Sequence, residues 1–498
     1  MAFLAFVTAL VFSQEAAHAA IEEAEPGSEL FEQFRPVYHF LALDNLGVFS
    51  GFAMNNAIDG KHTVFYTGVT ALPISWKKEY LFGEHVMYAT TSNGGSTWHK
   101  GTKPLIKQPP KGMNVTGWRD PMPFHSQSLD KHFGFDATTG SNYLLVAGGI
   151  HNEGPRIFLY HSEDYLNWEY KGFLLAQEKN TKFSRYSANW GYNFETTIYR
   201  EMKDEDGELH NVMLFAAEGD PNRYPMWATG TFGAAGSDSA SSDSDEGLFT
   251  PLMVGVSDRS DWYANSIYTD KHGKDVMIGW ITEDNNFAEG QPRAGMVSCR
   301  CRIEGLKSKG KSFEMVAQVA NFERGTQVGF TVRHSKTSGE ATTIVYDDKK
   351  KMVIIDRTKS SNAKCDVFMD NDVTPVDDPF TGSDEDVDDD SDSLADSDSE
   401  ADDSEADEGT YKVTRENLNF RLFVDVSTVE VFVNNRFALS ARIYPCGEDS
   451  DGISLTASGK TTFEKVQVWT DPKHAWPAKR TVPTKQLHKK TRNIANTA

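Results

Sequence analysis

The sequence has few cysteines and no long segment with the 3.6-residue period of a helix. Only 4 of the 498 residues are cysteine, which excludes a small scaffold held together by disulfides. Cys299 and Cys301 are two residues apart, so in a strand they share one face and would bridge poorly, and we interpret all four cysteines as ordinary residues. No cysteine or histidine pair has the spacing of zinc ligands. The sequence therefore predicts neither a metal site nor a cofactor.

The sequence also lacks an excess of basic residues: 50 Lys and Arg stand against 72 Asp and Glu, and the formal net charge is −22. Fifteen of the acidic residues lie between positions 384 and 408, so the remainder of the chain carries only about −7. Binding to a nucleic-acid backbone needs clustered Lys and Arg, which argues against a nucleic-acid partner. The mildly acidic body of the chain is compatible with a neutral small molecule or sugar as substrate.

The first residues, 1–20, contain an apolar run followed by a small-residue Ala-His-Ala site. This pattern is typical of a secretory signal peptide, although Lys and Arg are missing before the apolar run. An unstructured start or a wrongly assigned exon is the alternative. No later stretch approaches the roughly 20 apolar residues that a membrane span needs. We therefore expect a secreted protein with no membrane partner.

Nearly every readable segment is a short run of β-branched and aromatic residues, such as HTVFYTG and RIFLYHS. This pattern predicts an all-β protein. Two of these strands end in a Ser-led polar turn and restart at a tryptophan, Trp98 in the first case and Trp168 in the second. The interval of 70 residues is long enough for one four-stranded blade with a long loop. It favours a β-propeller over the alternative, a sandwich of hairpins.

Beyond about residue 311 the sequence alternates cleanly between apolar and polar positions. In LFVDVSTVEVFVNNRFAL (422–439) an Asn-Asn-Arg turn separates two such strands, which is typical of a β-sandwich. Tracts of Ser, Asp and Glu bury too little apolar surface to become ordered. The predicted segments are a propeller over 28–311, a sandwich over 312–474 with a disordered acidic insert at 366–410, and a basic tail at 475–498.

Two carboxylates stand among aromatic and β-forming residues, Asp120 in WRDP and Glu195 in GYNFETTIY. The central pocket of a propeller takes its polar groups from different blades, so catalytic residues are expected far apart in sequence. A carboxylate among aromatics is poorly solvated, which raises its pKa and lets it donate a proton. The alternative is structural: Asp120 pairs only with Arg119, and Glu195 lies at the end of an exposed strand.

Eight segments, in order along the chain, resemble glycoside hydrolase family 32, the group of invertases, inulinases and fructosyltransferases, and particularly its fungal-type members. These segments are RPVYHF (35–40), DNLGVFSG (44–51), FYTG (65–68), VTGWRDP (115–121), NFE (193–195), IGWITED (278–284), IIDRTKSS (354–361) and FRLFVDVSTVEVFVNNRFALSARIYP (420–445). The resemblance implies a five-bladed β-propeller followed by a β-sandwich. It also implies cleavage of β-linked fructose, in sucrose or a fructan, with retention of configuration.

The resemblance further implies roles for five residues. Glu195 matches the general acid/base, and Asp120 matches the aspartate that holds fructosyl hydroxyls and stabilises the transition state. Arg119 would orient Asp120, while Phe49 and Ser50 would line the pocket beside the fructose. The nucleophile of the family is the Asp of an Asn-Asp-Pro motif, and retention needs its carboxylate about 5–5.5 Å from the acid/base.

The sequence departs from the family pattern at that nucleophile. RPVYHF runs into DNLGVFSG through only residues 41–43, so the Asn-Asp-Pro motif and most of the first blade are missing. Asp44 is a poor substitute, because it already matches an aspartate that the family often carries before its Gly-Val-Phe strand. We therefore predict a β-fructofuranosidase whose activity is impaired. A catalytically inactive, sugar-binding or structural relative is the alternative, and a sialidase-like propeller is disfavoured because its three arginines are not evident.

Overall fold

The structure, a computed structural model, describes residues 44–136, 141–184, 187–204, 206–219, 223–233, 247–270, 272–282, 296–298, 311–361, 376–379 and 416–470. Strands dominate these residues, and the one α-helix among them, α1, spans Gln127–Phe133. The all-β prediction is confirmed. No helix in this part of the chain is long and apolar enough to cross a membrane. The predicted signal peptide (1–20), the RPVYHF segment and the basic tail (475–498) lie outside the described residues.

Four antiparallel sheets follow one another between residues 47 and 298, and the strands of each lie side by side in chain order. The first sheet contains β1 (Gly47–Met54), β2 (His62–Val69), β3 (Glu84–Thr91) and β4 (His99–Lys100); the second contains β5 (Val115–Phe124), β6 (Asn142–Ile150), β7 (Gly154–Ser162) and β8 (Glu169–Ala176). The third contains β9 (Asn193–Lys203), β10 (Leu209–Glu218), β11 (Arg223–Phe232) and β12 (Phe249–Val256). The fourth contains β14 (Trp262–Thr269), β15 (Asp275–Ile281) and β16 (Met296–Ser298).

The first strand of each sheet contacts the first strand of the next, because β1 lies beside β5, β5 beside β9 and β9 beside β14. First strands that gather around one axis are the hallmark of a propeller. The prediction of a propeller is therefore confirmed. The number of five blades stays a prediction, since the segment assigned to the truncated first blade precedes residue 44 and lies outside the described residues.

The two tryptophan turns occupy equivalent places in successive sheets. Trp98 lies in the turn between β3 and β4, and Trp168 lies in the turn between β7 and β8. In the second turn the carboxylate of Asp164 accepts backbone N–H bonds from Leu166 and Asn167, which explains the polar residues before the tryptophan. The 70-residue interval thus measures one propeller sheet, as the sequence predicted.

A β-bulge interrupts the first strand of each of the four described propeller sheets. The register shifts at Ser50 on β1, at Asp120 on β5, at Thr196 on β9 and at Ala264 on β14. Asp120, Thr196 and Ala264 have φ angles of 62°, 46° and 53°, values uncommon for residues with a side chain. Bulges re-aim side chains beside functional sites, and here they mark the level at which Asp120 and Glu195 lie.

The remaining strands form two facing sheets of a β-sandwich. One sheet has the order β13 (Arg259–Ser260), β24 (Phe437–Arg442), β23 (Thr428–Val433), β22 (Leu418–Asp425), β17 (Ser312–Ala320) and β26 (Thr462–Thr470). The other has the order β21 (Val376–Pro379), β20 (Met352–Lys359), β19 (Ala341–Asp347), β18 (Gln327–His334) and β25 (Gly452–Ala457). Alternating apolar side chains such as Phe330, Phe420 and Val431 fill the space between the sheets.

Two expectations for this half of the chain are corrected, and a third stays a prediction for most of its residues. The segment 422–439 contributes to three strands instead of two, because Val426, with φ of 48°, opens a tight turn after β22; valine gives no turn signal. Strand β21, which pairs with β20, lies inside the insert predicted as disordered at 366–410. The rest of that insert lies outside the described residues. Cys446 is disulfide-bonded, so the interpretation of every cysteine as an ordinary residue is wrong.

Buried carboxylates join the propeller to the sandwich. Asp258 accepts hydrogen bonds from the backbone N–H and the hydroxyl of Ser440, at 2.8 and 2.7 Å. Asp261 accepts one from the backbone N–H of Arg442 at 2.7 Å, and β13 pairs in parallel with β24. These contacts fix the fourth propeller sheet, which carries part of the site described next, against the sandwich.

Candidate active site

Asp120 lies at the bulge of β5 and is only 3% exposed. Its backbone N–H donates to the hydroxyl of Thr67 at 2.8 Å, and its Oδ2 accepts the backbone N–H of Thr196 at 2.9 Å. Both bonds come from neighbouring sheets, so they hold the strained residue in place. Its other oxygen, Oδ1, has no hydrogen-bond partner within the described part of the chain.

Glu195 lies on β9, directly before Thr196, and its side chain is 15% exposed. Oε1 accepts hydrogen bonds from Nε and Nη2 of Arg119 at 3.1 and 2.9 Å. Oε2 accepts a hydrogen bond from the phenol of Tyr263 on β14. Three sheets therefore meet at this carboxylate, and the predicted convergence of Asp120 and Glu195 is present in the fold.

Arg119 is the centre of the cluster, with a side chain only 5% exposed. Besides Glu195 it binds Glu84 of β3, through Nη1 at 3.0 Å, and Glu218 of β10, through Nη2 at 3.0 Å. The sequence reading gave Arg119 a single partner, Asp120. The guanidinium instead forms ion pairs with three carboxylates from two other sheets, and its Nε, Nη1 and Nη2 all donate hydrogen bonds to them.

Glu218 and Arg223 extend the cluster on the third sheet. Glu218 accepts hydrogen bonds from Arg223 at 2.7 Å and from the side-chain amide of Asn193 at 2.9 Å. Sequence reasoning missed both residues, together with Glu84 and Tyr263. A signal existed for Glu218, because it is a lone carboxylate that ends the apolar strand LFAAE, much as Glu195 stands among aromatics.

The two predicted acids have opposite pKa shifts. Burial and the nearby charge of Glu195 raise the pKa of Asp120 to about 7, against the attraction of Arg119. Burial and Glu195 likewise raise the pKa of Glu218 to about 7. Burial also acts to raise the pKa of Glu195, but Arg119, Arg223 and Tyr263 outweigh it, so that pKa is lowered. The expectation of a raised pKa is thus wrong for Glu195, whose arginine neighbours the sequence did not reveal.

Phe49 and Ser50, the two residues predicted to line the pocket, lie on β1. The backbone carbonyl of Ser50 accepts a hydrogen bond from Thr67, the same hydroxyl that binds the N–H of Asp120. Ser50 is therefore connected to Asp120 through one side chain. Among the described residues, no hydrogen bond or ring contact joins Phe49 to the acids, so its role beside the sugar stays a prediction.

Asp44 and an exposed group of possible metal ligands lie apart from the carboxylates around Arg119. Asp44 is fully buried and accepts hydrogen bonds from Lys100 at 2.6 Å and from Tyr66 at 2.9 Å, contacts of a structural ion pair. Asp204, Glu208 and His210 place ligand atoms within 4.8 Å of one another. They are exposed in the turn after β9 and at the start of β10, at the other end of β9 from Glu195.

Comparisons with known proteins agree with this architecture. The family model "Glycosyl hydrolases family 32 N-terminal domain" matches residues 40–314, and "Glycosyl hydrolases family 32 C terminal" matches residues 285–470. A sucrose-6-phosphate hydrolase of Staphylococcus xylosus is 24% identical over 462 residues, 85% of this chain and 77% of that protein.

Solved structures show the same fold at low identity. A β-fructofuranosidase of Aspergillus kawachii complexed with glycerol is 23% identical, with a TM-score of 0.68 over 88% of this chain and 85% of that one. A fructosyltransferase from A. japonicus is 20% identical, with a TM-score of 0.67 over 88% and 86%. Because the N-terminal family model alone covers more than half of the sequence, this chain belongs to glycosyl hydrolase family 32 and is a glycoside hydrolase.

Proposed function

We propose that the protein binds sucrose or a fructan at Asp120 and Glu195 and cleaves its β-fructofuranosidic bond by the retaining, double-displacement route. Family membership supports the hydrolysis of β-fructofuranosides such as sucrose. The observation that carries the finer proposal is the meeting of Asp120, Glu195 and Tyr263, from three sheets, around Arg119.

Glu195 is the proposed acid/base. In the first step it protonates the leaving oxygen, and in the second it activates water as a carboxylate. The lowered pKa of Glu195 in the free protein suits the second step. For the first step Glu195 has to be protonated, and a bound sugar that excludes water and separates it from Tyr263 would raise its pKa.

Asp120 is the proposed stabiliser of the fructosyl group. Its backbone is held by Thr67 and its Oδ2 by Thr196, so the carboxylate is oriented before a ligand arrives. Oδ1 then accepts a sugar hydroxyl, a hydrogen bond that strengthens as positive charge develops on the sugar ring. Ser50, tied to the same Thr67, is the proposed neighbour of the fructose on β1.

The proposed nucleophile step is impaired in this sequence. Retention needs a third carboxylate that attacks the anomeric carbon, about 5–5.5 Å from the acid/base. The Asn-Asp-Pro segment that the resemblance assigns to this step is missing between Phe40 and Asp44. Glu218 and Glu84 are both bound to Arg119, which favours a role in holding the arginine over attack on a sugar.

A second candidate is a sugar-binding relative without turnover. The observation that favours it is the state of Glu195, which two arginines and a phenol hold as a carboxylate. A carboxylate held ionised binds sugar hydroxyls well but lacks the proton that the leaving group needs. Binding and cleavage therefore have to be measured separately.

The test is fructose release from sucrose and inulin by the full chain, with Asp120→Asn and Glu195→Gln as site variants and Arg436→Gln as an exposed control. We expect turnover far below the usual enzymatic range of about 1–1,000 per second, lost in both site variants and unchanged in the control. Azide should increase sucrose consumption, because its terminal nitrogen attacks the anomeric carbon while glucose departs with a proton from Glu195.

The possible outcomes distinguish an enzyme with an impaired nucleophile step from a sugar-binding protein without turnover. Fructosyl azide with inverted configuration supports an enzyme that lacks its nucleophile. Turnover at ordinary rates without azide contradicts the impaired nucleophile step. Sugar binding that Asp120→Asn abolishes, with no product even in azide, supports the binding protein, and the absence of both binding and turnover rejects the proposal.

We also propose that the protein is secreted. The apolar run within 1–20 and the disulfide at Cys446 support this location, because disulfides persist in oxidising compartments. Expression in a eukaryotic host should give protein in the medium whose N-terminus has lost the apolar run. Retention in the cytosol, with a reactive thiol at Cys446, would contradict the proposal.

A further inference from the structure

A cavity of about 480 Å³ lies along the axis between the first strands of the four propeller sheets. Its lining residues are 50–55, 122–125, 196, 199–201, 264–267 and 278. Most of them follow the four bulges in sequence, and Arg119, Asp120 and Glu195 are not among them. The volume falls within the range of about 300–1,000 Å³ that small-molecule sites occupy.

Arg200 is a cation of this cavity that the proposed reaction does not use. It lies on β9 five residues after Glu195, which is about 15 Å along a strand. Its guanidinium donates to the carbonyls of Tyr199 and Ile267, at 3.3 and 3.2 Å. Within the described part of the chain it forms no ion pair. A guanidinium carries five N–H donors, so three of them remain for a ligand.

No carboxylate in the described part of the chain forms a direct ion pair with Arg200. Glu201 also lines the cavity, but its Oε1 accepts hydrogen bonds from the hydroxyl of Ser126 and the N–H of Ser128, at 2.7 and 2.8 Å, at the start of α1. Burial lowers the pKa of Arg200, and the charge of Asp275 opposes this only in part. Arg200 is half-buried, and the carbonyls of Tyr199 and Ile267 are its hydrogen-bond acceptors within the described part of the chain.

The side chains in the walls of the cavity indicate what kind of molecule could fill it. Phe52 and Met54 of β1, Phe124 of β5 and Ile267 of β14 contribute apolar surface. Ser50, at the bulge of β1, also lines the cavity, and its backbone carbonyl accepts a hydrogen bond from Thr67 at the boundary with the acid cluster. One cation beside apolar walls fits a molecule with one anionic group on a carbon skeleton.

We propose that this axial cavity is a second ligand site, separate from Asp120 and Glu195, which binds a small organic anion through Arg200. A carboxylate and a phosphate share the chemistry that a guanidinium recognises, since both accept two parallel N–H bonds. The anion supplies the charge that Arg200 lacks, and the skeleton covers the apolar walls.

The test measures ligand binding to the full chain by calorimetry at constant ionic strength. The probes are gluconate for a carboxylate, fructose 6-phosphate for a phosphate ester, inorganic phosphate for the bare ion and fructose as the neutral reference. Arg200→Gln removes the charge, and Ile267→Trp fills the cavity while keeping the carbonyl that Arg200 binds. Arg436→Gln removes a charge from the sandwich surface as the matched control, and Asp120→Asn disables the acid cluster.

We expect gluconate or fructose 6-phosphate to bind, with a loss of about tenfold or more in Arg200→Gln and a comparable loss in Ile267→Trp. Arg436→Gln and Asp120→Asn should leave this binding unchanged. Anion binding that survives Arg200→Gln, or that disappears in Asp120→Asn, overturns the proposal, as does the absence of binding by both organic anions. Because fructose binding at Asp120 is measured in the same series, failure of the proposed function is seen independently.

Discussion

Replacing Arg119 with methionine should destabilise the fold strongly, by an amount that depends on pH. The substitution keeps most of the side-chain length and removes the cation that pairs with Glu84, Glu195 and Glu218. These side chains are 1%, 15% and 4% exposed, so water does not replace the lost partner. Removing one member of a buried ion pair costs about 3–5 kcal/mol, and we expect at least this loss of unfolding free energy at about pH 8.

The loss should shrink as the pH falls. Without Arg119 the carboxylates bind protons more tightly in the folded protein than in the unfolded chain, so stability falls with rising pH by about 1.4 kcal/mol per pH unit for each such group. Asp120 and Glu218 already have pKa values near 7 in the wild type. Below pH 7 they carry protons in both proteins and no longer contribute unpaired charge to the variant.

Urea unfolding followed by tryptophan fluorescence, at about pH 8 and about pH 5.5, measures both effects. The control is Arg436→Met, which removes an ion pair with Glu416 whose side chains are 44% and 43% exposed. This exposed pair should contribute no more than about 1 kcal/mol. A loss for Arg119→Met no larger than the control, or one that does not change with pH, would refute the electrostatic account of the cluster.

Three further predictions concern single groups. Because the folded-state pKa of Glu218 is raised, the unfolding free energy of the wild type should fall as pH rises between about 4.5 and 7. In urea titrations, Glu218→Gln should reduce this dependence of the unfolding free energy on pH. An unchanged pH dependence would show that a group other than Glu218 binds the proton. Tyr263→Phe removes a hydrogen bond that lowers the pKa of Glu195, so that pKa should rise in an NMR titration of the carboxyl carbon; no rise would contradict the contact. Cys446→Ala should lower the unfolding free energy by about 2–5 kcal/mol, and a reducing agent should have the same effect on the wild type but none on the variant.

The strands and the tryptophan turns followed from the sequence because their signals are local. Alternation over a few residues identifies a strand, and an Asp side chain that caps its own turn identifies a hairpin. The turn at Val426 shows the limit of such signals, since valine is common in strands and only its φ of 48° reveals the bend. The disulfide at Cys446 was missed because spacing along the chain does not report distance in space.

The candidate site followed from the sequence only in part. WRDP and NFE identified Asp120 and Glu195 through their residue types and their order in the family. The ionisation of Glu195 did not follow, because it depends on arginines such as Arg223 and on Tyr263, which reach Glu195 from other strands. Local reasoning saw only the aromatic neighbours and gave the wrong sign for the pKa of Glu195.

By itself the sequence determined the strand content and the order of propeller and sandwich, since both are encoded in neighbouring residues, and it predicted Asp120 and Glu195 as the candidate acids. Only the tertiary structure decided that Arg119 binds Glu218, 99 residues away along the chain, and that Arg200 lines an axial cavity without an ion-pair partner among the described residues. The physical reason is that charge interactions and burial depend on distances between sheets, and those distances exist only after the strands have packed around a common axis.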